Sequence, residues 1–275
     1  MRPAVIAGRV SRVSLTVIGL IDRRSRRIRR APTLLLPDAP DPGRMLETVR
    51  LFHPDTEPGD GMLRSAAGLA LYGPVAPPPG LARRAGLEGD WRAAYVATGG
   101  APALPGLAHR LGGRWLRDGR AQRGRDADHL TATVYLPARP GPTELAALLV
   151  RHGGPVHDRP EGIDTYAGVA HSPVATAGLE VYATARFTAL VREARARPHA
   201  LGPLRDRPAL VGCELAGAAA DGHGSAREIA AAALAVAENC AGVALDCDGY
   251  RITGPEDLLP GTASTAPAVR PPRGP

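Results

Sequence analysis

The chain contains no lysine. All 34 of its basic residues are arginine, and it has one asparagine (Asn239) and one glutamine (Gln122). The missing lysine excludes a Walker phosphate loop, which needs one to reach the terminal phosphates. Cysteine is scarce: Cys213, Cys240 and Cys247, all in the last quarter. An odd and sparse count gives no disulfide framework and fits a reducing cytoplasm. Aromatics are few, with 2 Trp, 6 Tyr and 2 Phe. A core built mainly from Ala, Leu and Val therefore has few large anchors. No apolar run approaches the ~20 residues that cross a bilayer, so no membrane partner is expected. Most arginines near Val13–Ile21 follow that stretch, the reverse of a secretory signal. There is no G-x-S-x-G, and no serine or cysteine has a readable base partner.

What is present is a lopsided charge. Residues 1–125 hold 21 Arg against 10 acidic residues, and residues 126–275 hold 13 Arg against 17. A cationic front half hints at a polyanionic partner. A GC-rich coding sequence yields the same composition without any functional demand. The 33 Gly and 28 Pro point to long loops.

The clearest patterns lie in residues 129–260. Ala132, Val134 and Leu136 alternate with Thr131, Thr133 and Tyr135, as in a strand with one buried face. Leu179, Val181, Ala183, Ala185 and Phe187 alternate with Glu180, Tyr182, Thr184, Arg186 and Thr188, which predicts one long strand with the first set inside. Thr143 is placed to cap a helix carrying Leu145, Leu148 and Leu149, ended by Gly153-Gly154. Ser225 and Glu228 have capping-box spacing ahead of Ile229, Ala233 and Val236. Residues 209–215 read as a buried strand, residues 189–197 as a short Arg-rich helix, and 242–253 as a hairpin turning at Asp248-Gly249. This mixture predicts an α+β fold: an antiparallel or mixed sheet with helices mainly on one face, ferredoxin-like or a related sandwich.

The front half is weakly patterned. Arg9–Ile21 and Ala31–Leu36 read as strands joined by an arginine-rich loop. No internal repeat is visible. The expected division is a basic region 1–105, an Arg/Gly-rich linker 106–128, an α+β domain 129–260 and a disordered tail 261–275.

Several residue sets are candidates for function. Arg23, Arg24, Arg26, Arg27, Arg29 and Arg30 form one basic run; Arg114 and Arg117 flank Trp115 in another. Arginine forks suit phosphate, and an indole can stack a base. No recognised nucleic-acid module accompanies them. His152, His157, Asp158, Asp164 and His171 share a glycine- and proline-rich window, where a hydrolase or metal-dependent enzyme would gather its groups. Their spacing matches no zinc pattern, and surface-loop histidines are the expectation. Asp221–Ser225 reads as a plain connection into a helix. Val243-Ala-Leu-Asp246-Cys-Asp248-Gly249 resembles the first motif of haloacid-dehalogenase-type phosphatases. That resemblance would make Asp246 a nucleophile and Asp248 an acid/base beside magnesium. It spans seven residues only; Tyr250 departs from the motif, and the family's later lysine is absent.

With no catalytic residue, metal or cofactor identified, the favoured expectation is a cytoplasmic, non-enzymatic interaction module whose partner is another protein. Its closing layout is similar to that of small bacterial immunity and accessory proteins. A nucleic-acid-binding protein is the alternative, and an enzyme using residues 152–171 the second.

Overall fold

The computed structural model describes residues 31–99, 101–122, 130–157, 163–174, 178–217 and 223–259. They form mixed helix and antiparallel sheet, arranged as two seven-stranded sheets. The first starts with β1 (Thr33–Leu36), whose four residues are all buried. The chain turns through Pro37 and Pro40 into α1 (Pro42–Arg50). The Asp41 carboxylate caps that helix, accepting from the N–H groups of Gly43 and Arg44, and Pro42 occupies the first turn, where no backbone donor is needed. A meander follows: β2 (Glu57–Gly59), β3 (Met62–Arg64), β4 (Ala70–Val75) and, after the short α2 (Leu81–Arg84), β5 (Ala93–Thr98). Then come α3 (Leu104–Arg110), β6 (Arg114–Arg117) and β7 (Arg120–Ala121). The strand order is β2-β3-β4-β5-β1-β6-β7. Helices α1 and α3 cover one face through Met45, Val49, Leu104 and Leu107. Leu81 of α2 packs on the other face against Leu35, Ala94, Val96 and Leu116.

The second sheet repeats this plan. β8 (Leu130–Leu136) leads into α4 (Pro142–Gly153). The meander is β9 (Asp164–Tyr166), β10 (Val169–Val174), β11 (Leu179–Ala183), β12 (Phe187–Glu193) and β13 (Val211–Gly217). α5 (His223–Asn239) and β14 (Val243–Asp246) close the unit. The order β14-β8-β13-β12-β11-β10-β9 follows the first sheet, with one extra meander strand, β9, and no counterpart of β7. Helices α4 and α5 bury one face through Leu145, Leu149, Ile229, Ala233 and Val236. Between β12 and β13, where the first unit carries α2, 3-10 turns within His199–Asp206 lay Ala200 and Leu201 on the opposite face, against Tyr135 and Leu245.

The two units also agree in register. Leu35 lies opposite Ala94 and Arg114; Tyr135 lies opposite Gly212 and Val243. Gly113 and Gly242, each just ahead of a closing strand, occupy matching tight places. A Cβ would lie 2.5 Å from the Leu35 carbonyl oxygen in the first and 2.6 Å from that of Tyr135 in the second. Residues Thr33, Leu36, Pro37, Pro40 and Pro42 recur as Thr133, Leu136, Pro137, Pro140 and Pro142. The chain thus contains an internal repeat that the sequence reading missed. Its period exceeds the 20–50 residues typical of repeat arrays, and its echo is confined to one strand-to-helix connection.

Other expectations are corrected. Residues 106–122 are not a linker: they form most of α3, then β6 and β7. The expected strand 179–188 is the hairpin β11–β12, turned at residues 184–186, where the Thr184 hydroxyl donates to the Phe187 carbonyl and accepts from its N–H. Within β11 the faces are inverted: Tyr182 is in the core, while Leu179 and Val181 lie on the side away from the helices. Residues 187–193 are strand, so no helix occupies 189–197. Gly141, not Thr143, precedes α4, and no side chain caps it. Ser225 lies inside α5 and Glu228 pairs with Arg186, so no capping box forms there. The strand expected at Arg9–Ile21, the Asp221–Gly222 connection and the tail 261–275 lie outside the described residues.

Candidate functional site

A cluster of buried polar groups lies where the two units meet. After β14 the chain turns through Cys247, Asp248 and Gly249 and comes back along the same strand, with Leu245 bridging Arg251. Asp246 organises this turn. Its Oδ1 accepts from the N–H groups of Asp248 and Tyr250, both at 2.9 Å, and its Oδ2 accepts from Arg110 Nη1 at 2.6 Å. The carboxylate is fully buried, and only 8% of the Arg110 side chain is exposed. The D-x-D-G segment is therefore a hairpin turn that joins the units, and Asp246 is already held by three donors. No nucleophile is presented to solvent at that position.

The turn aims Tyr250 into the core of the first unit. Its hydroxyl donates to the Ala103 carbonyl at 2.6 Å. Its ring lies 5.0 Å from that of Phe52, and the Arg110 guanidinium sits 4.9 Å from its centroid. Gly106 of α3 permits this insertion, because a Cβ there would overlap the ring edge. Burial holds the phenol pKa well above its ordinary value. Two further contacts seal the junction: the Arg251 N–H donates to the Leu51 carbonyl, and the rings of His53 and His199 lie 5.1 Å apart. Burial, followed by the charge of His199, lowers the His53 pKa; Asp55 opposes that shift.

Beside this junction is a half-open cleft of about 450 Å3. Arg44 and Glu47 of α1, His109 and Arg110 at the end of α3, and Glu256 and Asp257 supply its polar walls.

A second polar cluster lies under the second sheet. His171 of β10 is buried, with its ring 4.6 Å from Tyr182 and 5.4 Å from Tyr166. Glu180 accepts from the Tyr182 hydroxyl and from Arg139 Nη1, each at 2.5 Å, and lies 3.5 Å from His171 Nε2. Burial alone would raise the Glu180 pKa. The hydrogen bonds from Tyr182 and Arg139, with the nearby positive charges, outweigh it and hold the pKa below its ordinary value. Burial and the bond to Glu180 drive the Tyr182 phenol well upward. Sequence gave no sign of this group, because Glu180 and Tyr182 fall on the expected outer face and Arg139 is a loop residue.

The opposite face of that sheet is different. Leu179 and Val181 of β11, Leu190 of β12 and Val174 of β10 point away from the helices, with Ile163 just ahead of β9. Val174 and Ile163 are 38% and 36% exposed. The Arg192–Glu214 ion pair, at 3.4 Å, borders this apolar stretch.

The predicted residues are distributed as follows. Arg23, Arg24, Arg26, Arg27, Arg29 and Arg30 lie outside the described residues. Arg114 and Arg117 are exposed but fall on opposite faces of β6, while Trp115 packs against the first core, its indole N–H buried without a partner among the described residues. The window 152–171 does not converge. His152 lies on α4 and His157 beyond it, and Asp164 opposes His171 across β9–β10. His171 is a core side chain, not a surface-loop one, because Tyr166 and Tyr182 enclose its ring. Asp158 lies outside the described residues. Among those residues no group of three or more His, Cys, Asp or Glu side chains is placed to hold a metal. No described helix is long and apolar enough to cross a membrane. Compared with family models, curated proteins and solved structures, the chain matches none.

Proposed function

We propose that the chain is a non-enzymatic interaction protein and that its partner is another protein, docked on the outer face of β9–β12. The observation that carries this reading is the apolar stretch Ile163, Val174, Leu179, Val181 and Leu190, the first two exposed and the other three half-buried, bordered by Arg192 and Glu214. An apolar centre with a charged rim is the usual anatomy of a protein interface. On the outer face, Leu81 covers part of the first sheet and Leu201 part of the second; neither hydrophobic cluster includes these five side chains. A rim carrying both charge signs favours a protein surface over a polyanion. Asp246 and Glu180 are engaged in holding structure together, and burial pushes the Cys213 thiol up to about 12. Cys213 and Cys240 are free thiols, and we place the protein in the cytoplasm on that basis. We further read each unit as a ferredoxin-like core, β14-β8-β13-β12 in the second, extended by its meander.

A photo-crosslinking residue placed at Leu190 tests the docking face in cells that express the chain. The expected product is a covalent adduct with one protein, lost when Val181→Asp charges the centre of the patch. Adducts with nucleic acid alone, or protein adducts that persist in Val181→Asp, would refute the reading.

A further inference from the structure

The closing hairpin of the first unit carries a charge arrangement that its own fold does not use. β6 and β7 lie at one end of the first sheet and are joined by Asp118 and Gly119 alone. Both turn residues have positive φ, 53° and 73°, as in the tight two-residue turns that fix hairpin register. Arg117 is thereby set directly opposite Arg120. Leu116 and Ala121, the next pair along the ladder, belong to the outer apolar cluster, so the two arginines share the other face. Both are exposed. Residues opposed in this way have Cβ atoms about 4.5–5.5 Å apart, and like charges at that spacing destabilise the pairing.

Among the described residues neither guanidinium forms an ion pair or a hydrogen bond. β1, β7 and α3 pack against β6, and none of them holds an acidic residue. Asp118 in the turn is the one acid between residues 111 and 122, alongside Arg114, Arg117 and Arg120. A sequence that keeps an unneutralised like-charge pair across a fixed turn gives up stability, and such breaks in local consistency gather at functional sites. The chemistry of the pair selects phosphate: each arginine fork can offer two parallel N–H donors to its oxygens, and two forks on neighbouring strands can share one group. Exposure selects the kind of phosphate. Water competes well with a single small anion at an exposed position, whereas a nucleic acid presents phosphate after phosphate and releases condensed counterions on binding. Trp115 is committed to the core, so it offers no ring to stack on a base. Contacts limited to the backbone hold a strand without reading its sequence.

We propose that the β6–β7 hairpin is a phosphate clip, in which Arg117 and Arg120 grip the sugar–phosphate backbone of a nucleic acid. The site belongs to the first unit and the docking face to the second, so each is tested without the other. The test uses the full chain and two fluorescein-labelled probes, a short oligouridylate and a short DNA duplex, titrated by fluorescence anisotropy over a series of salt concentrations. At least one probe should bind. Arg117→Gln combined with Arg120→Gln should lower the slope of log affinity against log salt by about 1.4 for the single strand or about 1.8 for the duplex, the share of two phosphate contacts. Affinity at ~50 mM salt should fall by about tenfold or more. The melting temperature of the same variant should stay level or rise, because the opposed like charges are gone. A pair kept for structure would lower it, and a lowered melting temperature with an unchanged salt slope overturns the proposal. Failure of both probes to bind overturns it too. So does an unchanged salt slope by itself, since binding then runs through other arginines such as the run at 23–30. Inorganic phosphate that displaces the probe at an equal concentration of phosphate groups would assign the pair to a small anion and overturn the backbone reading.

Discussion

The insertion of Tyr250 beside Gly106 can be tested by a double-mutant cycle. Gly106→Ala on an exposed helix would normally stabilise by about 0.8–1 kcal/mol, through the helix preference of alanine. Here the new Cβ would overlap the Tyr250 ring, and the ring is enclosed by Phe52, Arg110 and the Ala103 carbonyl. Overpacking of this kind costs about 1–3 kcal/mol. Tyr250→Ala alone removes a fully buried aromatic and the hydrogen bond to Ala103, a loss of about 3–5 kcal/mol. In the Tyr250→Ala background the clash is gone, and Gly106→Ala should become neutral or stabilising by up to about 1 kcal/mol. The cycle therefore predicts a coupling of about 1–4 kcal/mol, beyond the ~0.5 kcal/mol scatter of independent sites. Urea unfolding followed by circular dichroism measures all four proteins. Additive effects, or a Gly106→Ala protein at least as stable as the parent, would show that the second unit does not plug into the first.

Three further outcomes follow from the same contacts. Asp246→Asn leaves the Arg110 guanidinium buried without its counter-charge and should cost about 3–5 kcal/mol in urea unfolding; a loss below about 1 kcal/mol would contradict the assigned pairing. His53 holds its pKa below the ordinary 6.5 in the folded state, so the unfolded chain binds the extra proton first. Stability should then fall as pH drops from about 6.5 towards the lowered value, by at most about 1.4 kcal/mol per pH unit, and His53→Gln should flatten that part of the profile measured by thermal melting. Cys247 is exposed and Cys213 is buried, with its thiol pushed up to about 12. A thiol reagent should label Cys247 rapidly in the native protein and reach Cys213 only as fast as the chain unfolds, which mass spectrometry of timed samples resolves.

The helix-covered core of the second unit was legible because it is made of short periodic segments. Ala132, Val134 and Leu136 alternate in β8, and Leu145, Leu148 and Leu149 share one face of α4, as their spacing requires. The inverted β11 was not legible. Its inward side carries Glu180 and Tyr182, and only the pairing with Arg139 and the stacking with His171 make that side tolerable in the interior. The capping-box spacing of Ser225 and Glu228 misled because α5 begins earlier, leaving Glu228 to pair with Arg186. Residues 106–122 looked like a linker because Arg and Gly dominate them. The glycines are there for close approach, Gly106 to Tyr250 and Gly113 to Leu35, a demand that composition does not reveal.

The sequence alone determined the local elements: which stretches alternate with period two, where proline and glycine end them, and that an Asp-Gly turn follows the strand at 243–246. These depend on neighbours a few residues apart and on the fixed geometry of strand and helix. Tertiary structure decided the rest. Arg110 meets Asp246, His171 meets Glu180, and Tyr250 completes a core begun near Leu34. It also decided that the two halves share one plan. Each of these pairings joins residues set far apart along the chain or facing each other across strands, and their free energy depends on burial and charge neutralisation that exist only once both sides are in place.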